Sequence, residues 1–133
     1  MEKQLFVNLP VKNLERSIEF FKKLGFTFNK QFTDNNGAMM IVNENSSVML
    51  LTEEFFRSFT KKPIGDIKSS PQVIMAITEY NKTDVGNQAE RVEAAGGRII
   101  DRFTEPEGMY GIHFEDLDAN LWEIFYMDMS VMK

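Results

Sequence analysis

Hydrophobic and polar positions repeat in the same order in the two halves of this chain. In the first half, the apolar run Leu5–Val11 predicts a strand, and apolar residues then recur at i, i+4 and i+7 from Leu14, as on one face of a helix. Asn13 is a suitable N-cap for that helix, and Gly25 is a suitable C-cap. The first half therefore begins with a strand and a capped helix.

The helix pattern returns 71 residues further along the chain. Its apolar face consists of Val85, Ala89 and Val92, and Gly96 follows as the C-cap. The helix and its cap thus keep the same register in both halves, which indicates an internal repeat. A generic α+β sandwich in which the repeat is a coincidence is the alternative.

Alternating hydrophobicity and turn composition predict the remaining elements. A short helix is predicted at Glu54–Phe59. The further predicted strands are Phe26–Phe32, Ala38–Val42, Val48–Thr52, Val73–Thr78, Arg98–Phe103, Met109–Phe114 and Leu121–Met127. We therefore predict an α+β fold of two β-α-β-β-β modules, residues 4–59 and 72–128, joined by a polar linker, 60–71, within a single domain, 1–133.

The composition is that of an ordinary globular protein, with 43% apolar and 26% charged residues. The net charge of −5 is spread along the chain without a basic stripe, which argues against a nucleic-acid partner. The absence of cysteine excludes disulfides and thiolate metal sites. No apolar run approaches the roughly 20 residues of a membrane span, and the N-terminus lacks the apolar core of a signal peptide. We therefore expect a cytoplasmic protein with no membrane partner.

Glu123 is the one charged residue of the predicted strand Leu121–Met127. A side-chain period of two places it among Leu121, Phe125 and Met127, and both faces of the strand look buried. A carboxylate in such surroundings is costly unless it is hydrogen-bonded, binds a metal or faces a wet cavity. Glu123 therefore needs a partner.

Two segments of the chain resemble one known group of proteins. Phe6–Phe26 resembles the first strand and helix of the vicinal oxygen chelate superfamily, and Met109–Asp128 resembles its last two strands. The superfamily includes glyoxalase I, bleomycin-resistance proteins, fosfomycin-resistance enzymes and extradiol dioxygenases, and the fit is closest to its bacterial glyoxalase-like, bleomycin-resistance-type proteins. The resemblance implies a curved mixed sheet around a cavity and a homodimer, which would also cover exposed sheet edges.

The resemblance also assigns four metal-ligand positions to this chain, namely Phe6, Leu50, Ile74 and Glu123. Among them only Glu123 carries a donor atom, whereas metal enzymes generally need at least three protein ligands. Shifting the register by one residue brings in only further apolar side chains. We therefore expect neither a metal ion nor another cofactor.

Three interpretations of Glu123 remain open. It is a structural residue satisfied by Asn8, a tyrosine or buried water; or it holds a hydrogen-bond donor or cation of a ligand; or it is a general base in apolar surroundings. His113, the only histidine, is a candidate proton shuttle, but nothing in the sequence places it beside Glu123, and a structural or surface role is favoured.

Binding of a small organic molecule in an apolar cavity, without a metal ion, is the favoured function. The alternatives are a metal-dependent lyase, isomerase or dioxygenase of the same superfamily, and a metal-free proton-transfer enzyme that uses Glu123. The predicted ligand-binding residues are Phe6, Asn8, Leu50, Phe55, Ile74, Met109, Tyr110 and Glu123.

Overall fold

The chain folds into two compact units, the first ending at Gly65 and the second beginning at Asp66. The computed structural model describes residues 2–131. Each unit has the element order β-α-β-β-β around a four-stranded mixed sheet, so the predicted α+β fold with two such modules is confirmed. That the modules form a single domain stays a prediction.

The first unit contains one sheet with the strand order β1-β4-β3-β2. The β1–β4 pair is parallel, and the other two pairs are antiparallel. Its elements are β1 (Leu5–Val11), α1 (Leu14–Lys23), β2 (Thr27–Asn29), β3 (Gly37–Asn43), β4 (Ser46–Thr52) and α2 (Glu53–Arg57).

The second unit repeats this arrangement with the strand order β5-β8-β7-β6. The β5–β8 pair is parallel, and the β7–β8 and β6–β7 pairs are antiparallel. Its elements are β5 (Ile74–Thr78), α3 (Lys82–Ala95), β6 (Arg98–Phe103), β7 (Met109–Glu115) and β8 (Leu121–Met127). Strands β1 and β5 each form an edge of their sheet, and the predicted homodimer stays a prediction.

The helix ends largely follow the sequence signals. The Asn13 side chain accepts a hydrogen bond from the Arg16 backbone N–H at 3.0 Å, as an N-cap does. Gly96 caps α3 in the left-handed conformation, with φ of 99°. At the end of α1 the C-cap is Leu24, and Gly25, with φ of 96°, follows it. The predicted cap at Gly25 is therefore one residue too late.

The predicted strand Phe26–Phe32 is too long. Only Thr27–Asn29 is extended, and a 3₁₀ turn, Lys30–Phe32, follows it. The Asn29 side chain accepts a hydrogen bond from the Gln31 backbone N–H at 3.0 Å. Such local side-chain bonds offer the backbone an alternative to the sheet ladder, and they end the strand here.

A helix covers one face of each sheet. Helix α1 packs on β3 and β4, and α3 packs on β6, β7 and β8. The buried apolar side chains include Phe20, Phe21, Ala38, Met40, Val48 and Leu50 in the first unit and Val85, Ala89, Val92, Ile112, Phe114, Trp122 and Ile124 in the second. In the part of the chain that the structure describes, no helix is long and apolar enough to span a membrane.

The fully buried side chains of strand β8 all lie on one face, which corrects the expectation that both of its faces are buried. Trp122 and Ile124, on the face toward α3, are 0% exposed. On the other face Leu121 and Phe125 are half-buried, and Met127 is 37% exposed. Water therefore reaches the face that carries Glu123.

The buried carboxylate of Asp116 fixes the loop between β7 and β8. Its Oδ1 accepts hydrogen bonds from the backbone N–H groups of Asp118 at 2.8 Å and Asn120 at 3.0 Å. Its Oδ2 accepts from Trp122 Nε1 at 3.0 Å and from the Asn120 side-chain amide at 3.0 Å. Burial raises the pKa of Asp116, and these N–H donors oppose the rise. The loop thus anchors Trp122 and sets the hairpin register.

Replacing Asp116 with alanine should lower the free energy of unfolding by about 3 kcal/mol, because several buried N–H groups lose their acceptor. Urea denaturation followed by circular dichroism measures the change. Glu90→Ala removes an exposed acid from α3 and should change the free energy by less than about 0.5 kcal/mol. Equal small effects of the two substitutions would show that Asp116 does not anchor the loop.

Candidate functional site

Glu123 lies on the face of the second sheet that α3 does not cover, which we call the open face. The register of the four strands and the alternation of side chains define its members. They include Ile74, Ala76, Asp101, Phe103, Met109, Gly111, His113, Glu115, Leu121, Glu123 and Phe125.

His113 is the hydrogen-bond partner of Glu123. The two residues are directly opposite each other in the β7–β8 pair, and His113 Nε2 lies 3.1 Å from Glu123 Oε2. Their side chains are 30% and 20% exposed, respectively. His113 thus lies beside Glu123, a contact for which the sequence holds no direct indication, and the favoured structural or surface role of His113 stays a prediction.

Asp101 binds the other nitrogen of the same imidazole. Its Oδ1 lies 2.6 Å from His113 Nδ1. The pairing of β6 with β7 shifts register between Ile99 and Asp101, and this shift places Asp101 opposite His113. Two carboxylates thus hold one imidazole between them, an arrangement that we call the Asp101–His113–Glu123 line.

The charges of the line favour a protonated imidazole. Burial of the ring alone would lower the pKa of His113. The hydrogen bonds and negative charges of Asp101 and then Glu123 outweigh burial, so the pKa of His113 is raised above its ordinary value. When protonated, the ring donates one N–H to each carboxylate, and the three groups together carry a single net negative charge.

Phe103 stacks on the His113 ring. The ring centroids are 4.9 Å apart, and the planes differ by 30°. Phe103 also lies against Gly111, which is its partner in the β6–β7 pair. The site therefore combines one ionic line with an aromatic neighbour that contacts its central ring.

The donor set does not fit the metal ion of the superfamily that the sequence resembles. Among residues 2–131, no three histidine, aspartate or glutamate side chains are grouped so that they could hold a metal ion. In the Asp101–His113–Glu123 line, the two carboxylates bind opposite nitrogens of one ring, so the imidazole separates them. The other three positions assigned to metal ligands are apolar side chains. These residues therefore do not fit a bound metal ion.

The predicted ligand-binding residues of the second unit divide between the two faces of its sheet. Ile74 and Met109 lie on the open face with Glu123. Tyr110 pairs with Tyr126 and lies on the opposite face, which carries α3. Tyr110 therefore does not share a face with Glu123, because neighbouring residues of a strand point to opposite faces, and its role in ligand binding stays a prediction.

The first unit shows a similar division. Phe6 and Asn8 lie on the sheet face that carries Met49, while Leu50 pairs with Leu9, lies on the opposite face and is 0% exposed. Leu50 therefore does not share a face with Phe6, which corrects the assigned set. A hydrogen bond between Asn8, in the first unit, and Glu123, in the second, is one of the alternatives for Glu123 and stays a prediction.

Phe55 lies on α2 of the first unit. Its ring makes an edge-to-face contact with that of Phe59, with centroids 5.1 Å apart. Its role in ligand binding stays a prediction.

Sequence reasoning missed Asp101 and Phe103 as site residues. Their positions depend on the register shift in β6, which no residue type in Arg98–Phe103 announces. The pairing of His113 with Glu123 had a usable signal. A tight loop between the predicted strands limits the hairpin to a few registers, and alternation assigns both residues to one face.

Comparison with known proteins gives one family. The family model described as Glyoxalase/Bleomycin resistance protein/Dioxygenase superfamily matches residues 3–124. A search of the curated proteins gives no significant match.

Solved structures share the fold over nearly the whole chain. The hypothetical protein SA1046 from S. aureus is 25% identical, with a TM-score of 0.81 and coverage of 95% of each chain. A glyoxalase-related enzyme from Fulvimarina pelagi is 19% identical, with a TM-score of 0.80 and coverage of 94% of this chain and 88% of that one. The fosfomycin resistance protein FosX from Mesorhizobium loti is 16% identical, with a TM-score of 0.64 and coverage of 98% and 93%, respectively.

The titration of His113 tests the site geometry directly, because no other histidine contributes to the spectrum. We expect its pKa, measured by NMR of the ring protons, to exceed the ordinary value of 6.5. Asp101→Asn should lower the pKa more than Glu123→Gln, since Asp101 contributes more to the rise. Glu90→Gln, on the helix that covers the other face, should leave it unchanged. If neither the substitution at Asp101 nor the one at Glu123 alters the pKa of His113, the proposed contact of its ring with both carboxylates would be contradicted.

Proposed function

The chain belongs to the glyoxalase/bleomycin resistance protein/dioxygenase superfamily, and from that premise we propose that it binds a small organic molecule on the open face without a metal ion. One observation carries the proposal. His113 holds Oε2 of Glu123, while Oε1 has no hydrogen-bond partner among the residues that the structure describes. Glu123 is thus a fixed acceptor with one oxygen available to a ligand.

The chemistry of the open face indicates the class of ligand. Glu123 offers an acceptor, so the ligand must present an N–H or O–H donor there. The side chains of Ile74, Leu121 and Phe125, on the same face, offer apolar surface beside that acceptor. A compound with a donor attached to an apolar or aromatic body fits both features.

Charge favours a cationic donor over a neutral one. The Asp101–His113–Glu123 line carries a net negative charge when the ring is protonated. Glu115, on the same strand face, pairs with Arg98 and adds no net charge. A protonated amine would therefore gain a charge-assisted hydrogen bond at Glu123, which is worth roughly twice a neutral one.

Metal-free proton transfer by Glu123 is the second candidate function. The exposed fraction rises from 20% at Glu123 through 30% at His113 to 58% at Asp101, so the line connects a half-buried base to solvent. Glu123 would accept a proton from the ligand and pass it to Nε2 of the neutral ring. The ring would then release its Nδ1 proton through Asp101 to water.

A matched pair of probes tests the binding proposal. Phenethylamine carries a protonated amine on an aromatic body, and 2-phenylethanol replaces that amine with a neutral hydroxyl. We expect ligand-observed NMR to show tighter binding of the amine at pH 7, and Glu123→Gln to weaken it about tenfold, which corresponds to about 1.4 kcal/mol. Glu90→Gln is the control and should leave both affinities unchanged.

Two results would contradict the proposal. One is equal binding of both probes together with no effect of Glu123→Gln. The other is retention of one equivalent of Zn²⁺, Ni²⁺, Mn²⁺ or Fe²⁺ after dialysis, with loss of that metal in Glu123→Gln. The second result would favour a metal-dependent lyase, isomerase or dioxygenase of the superfamily.

A further inference from the structure

We infer that Phe103 is a positioning residue that holds the His113 ring between its two carboxylates. This inference rests on the proposed function, because a fixed His113 ring is what keeps Glu123 in place as the acceptor for a ligand. Phe103 need not contact the ligand itself. Its role follows from contacts with Gly111 and His113.

The Phe103 ring packs directly against the backbone of Gly111. A Cβ atom added at Gly111 would lie 2.7 Å from Phe103 Cε1 and 2.8 Å from Phe125 Cβ, closer than real Cβ contacts. The ring therefore rests directly on the backbone of β7, in a space that any side chain at position 111 would occupy. The absence of a side chain at Gly111 is what admits Phe103 to this place.

This contact with Gly111 places the Phe103 ring beside His113. In the β6–β7 pair, Phe103 is opposite Gly111 and Asp101 is opposite His113. Two residues of β6 thus contact the same imidazole in different ways. Asp101 binds its edge through Nδ1, and Phe103 stacks on its face at a centroid distance of 4.9 Å.

The stacking restricts the ring to the orientation that the line needs. An imidazole can bond to two carboxylates at once only when Nδ1 points to Asp101 and Nε2 points to Glu123. Packing against Phe103 limits rotation of the ring, and the face of an aromatic ring also attracts a cation. Both effects favour the protonated, doubly bonded state of His113.

Phe103 can stabilise this face by packing alone, or it can also position the His113 ring. Phe103 is half-buried on the open face, whereas the fully buried side chains of this unit lie toward α3. Leucine would fill much of the same volume without a flat face. The two roles are therefore separable by substitution.

The experiment is an NMR titration of His113 in Phe103→Leu, Phe103→Tyr and Gly111→Ala. We expect Phe103→Leu and Gly111→Ala to lower the pKa of His113, and the conservative Phe103→Tyr to retain the wild-type value because it keeps the ring. Circular dichroism and urea denaturation identify any variant that does not fold. Should Gly111→Ala fail to fold, the comparison of Phe103→Leu with Phe103→Tyr still decides the question.

A Phe103→Leu variant that folds and keeps the wild-type His113 pKa would overturn the inference. The titration needs no ligand, so its outcome is independent of the phenethylamine measurement. A lowered pKa together with absent phenethylamine binding would support the positioning role and contradict the proposed function. An unchanged His113 pKa in Phe103→Leu, together with phenethylamine binding that depends on Glu123, would contradict the positioning role and support the proposed function.

Discussion

The ionic contact between His113 and Glu123 is the interaction on which the site depends. A carboxylate among apolar side chains is costly without a partner, and His113 supplies one from the neighbouring strand at 3.1 Å. Asp116 sets the hairpin register that makes the contact possible, and Asp101 holds the imidazole from its other side. The site is therefore a product of strand register more than of any single motif.

Most of the fold could be predicted from the sequence because its signals are local. The helix over Leu14–Lys23 follows from its apolar period and from Asn13, and the hydrophobic pattern predicts strand Leu121–Met127 with its observed bounds. The errors lie where side chains compete with the backbone, as at Asn29, or where alternation decides between faces, as at Leu50. One residue of register moves a side chain to the other side of a sheet.

The candidate site was only partly predictable. Glu123 can be identified from the sequence, because a lone carboxylate interrupts an apolar strand. Asp101 and Phe103 cannot be identified in this way, because the register shift in β6 that directs them toward His113 depends on pairing with β7. Three of the four assigned metal-ligand positions carry no donor atom, so the site departs from the metal chemistry that the resemblance suggests. The imidazole of His113 takes the place of a metal cation beside Glu123.

The free-energy coupling between His113 and Glu123 tests this account most directly. A double-mutant cycle with His113→Ala and Glu123→Ala, measured by urea denaturation at pH 6 and pH 9, isolates it. Because the pKa of His113 is raised in the folded state, the stabilisation is complete below the ordinary pKa and is lost as pH rises through the raised one. We predict coupling of about 1 kcal/mol at pH 6 and a smaller value at pH 9. Additive effects of the two substitutions at both pH values would contradict the account.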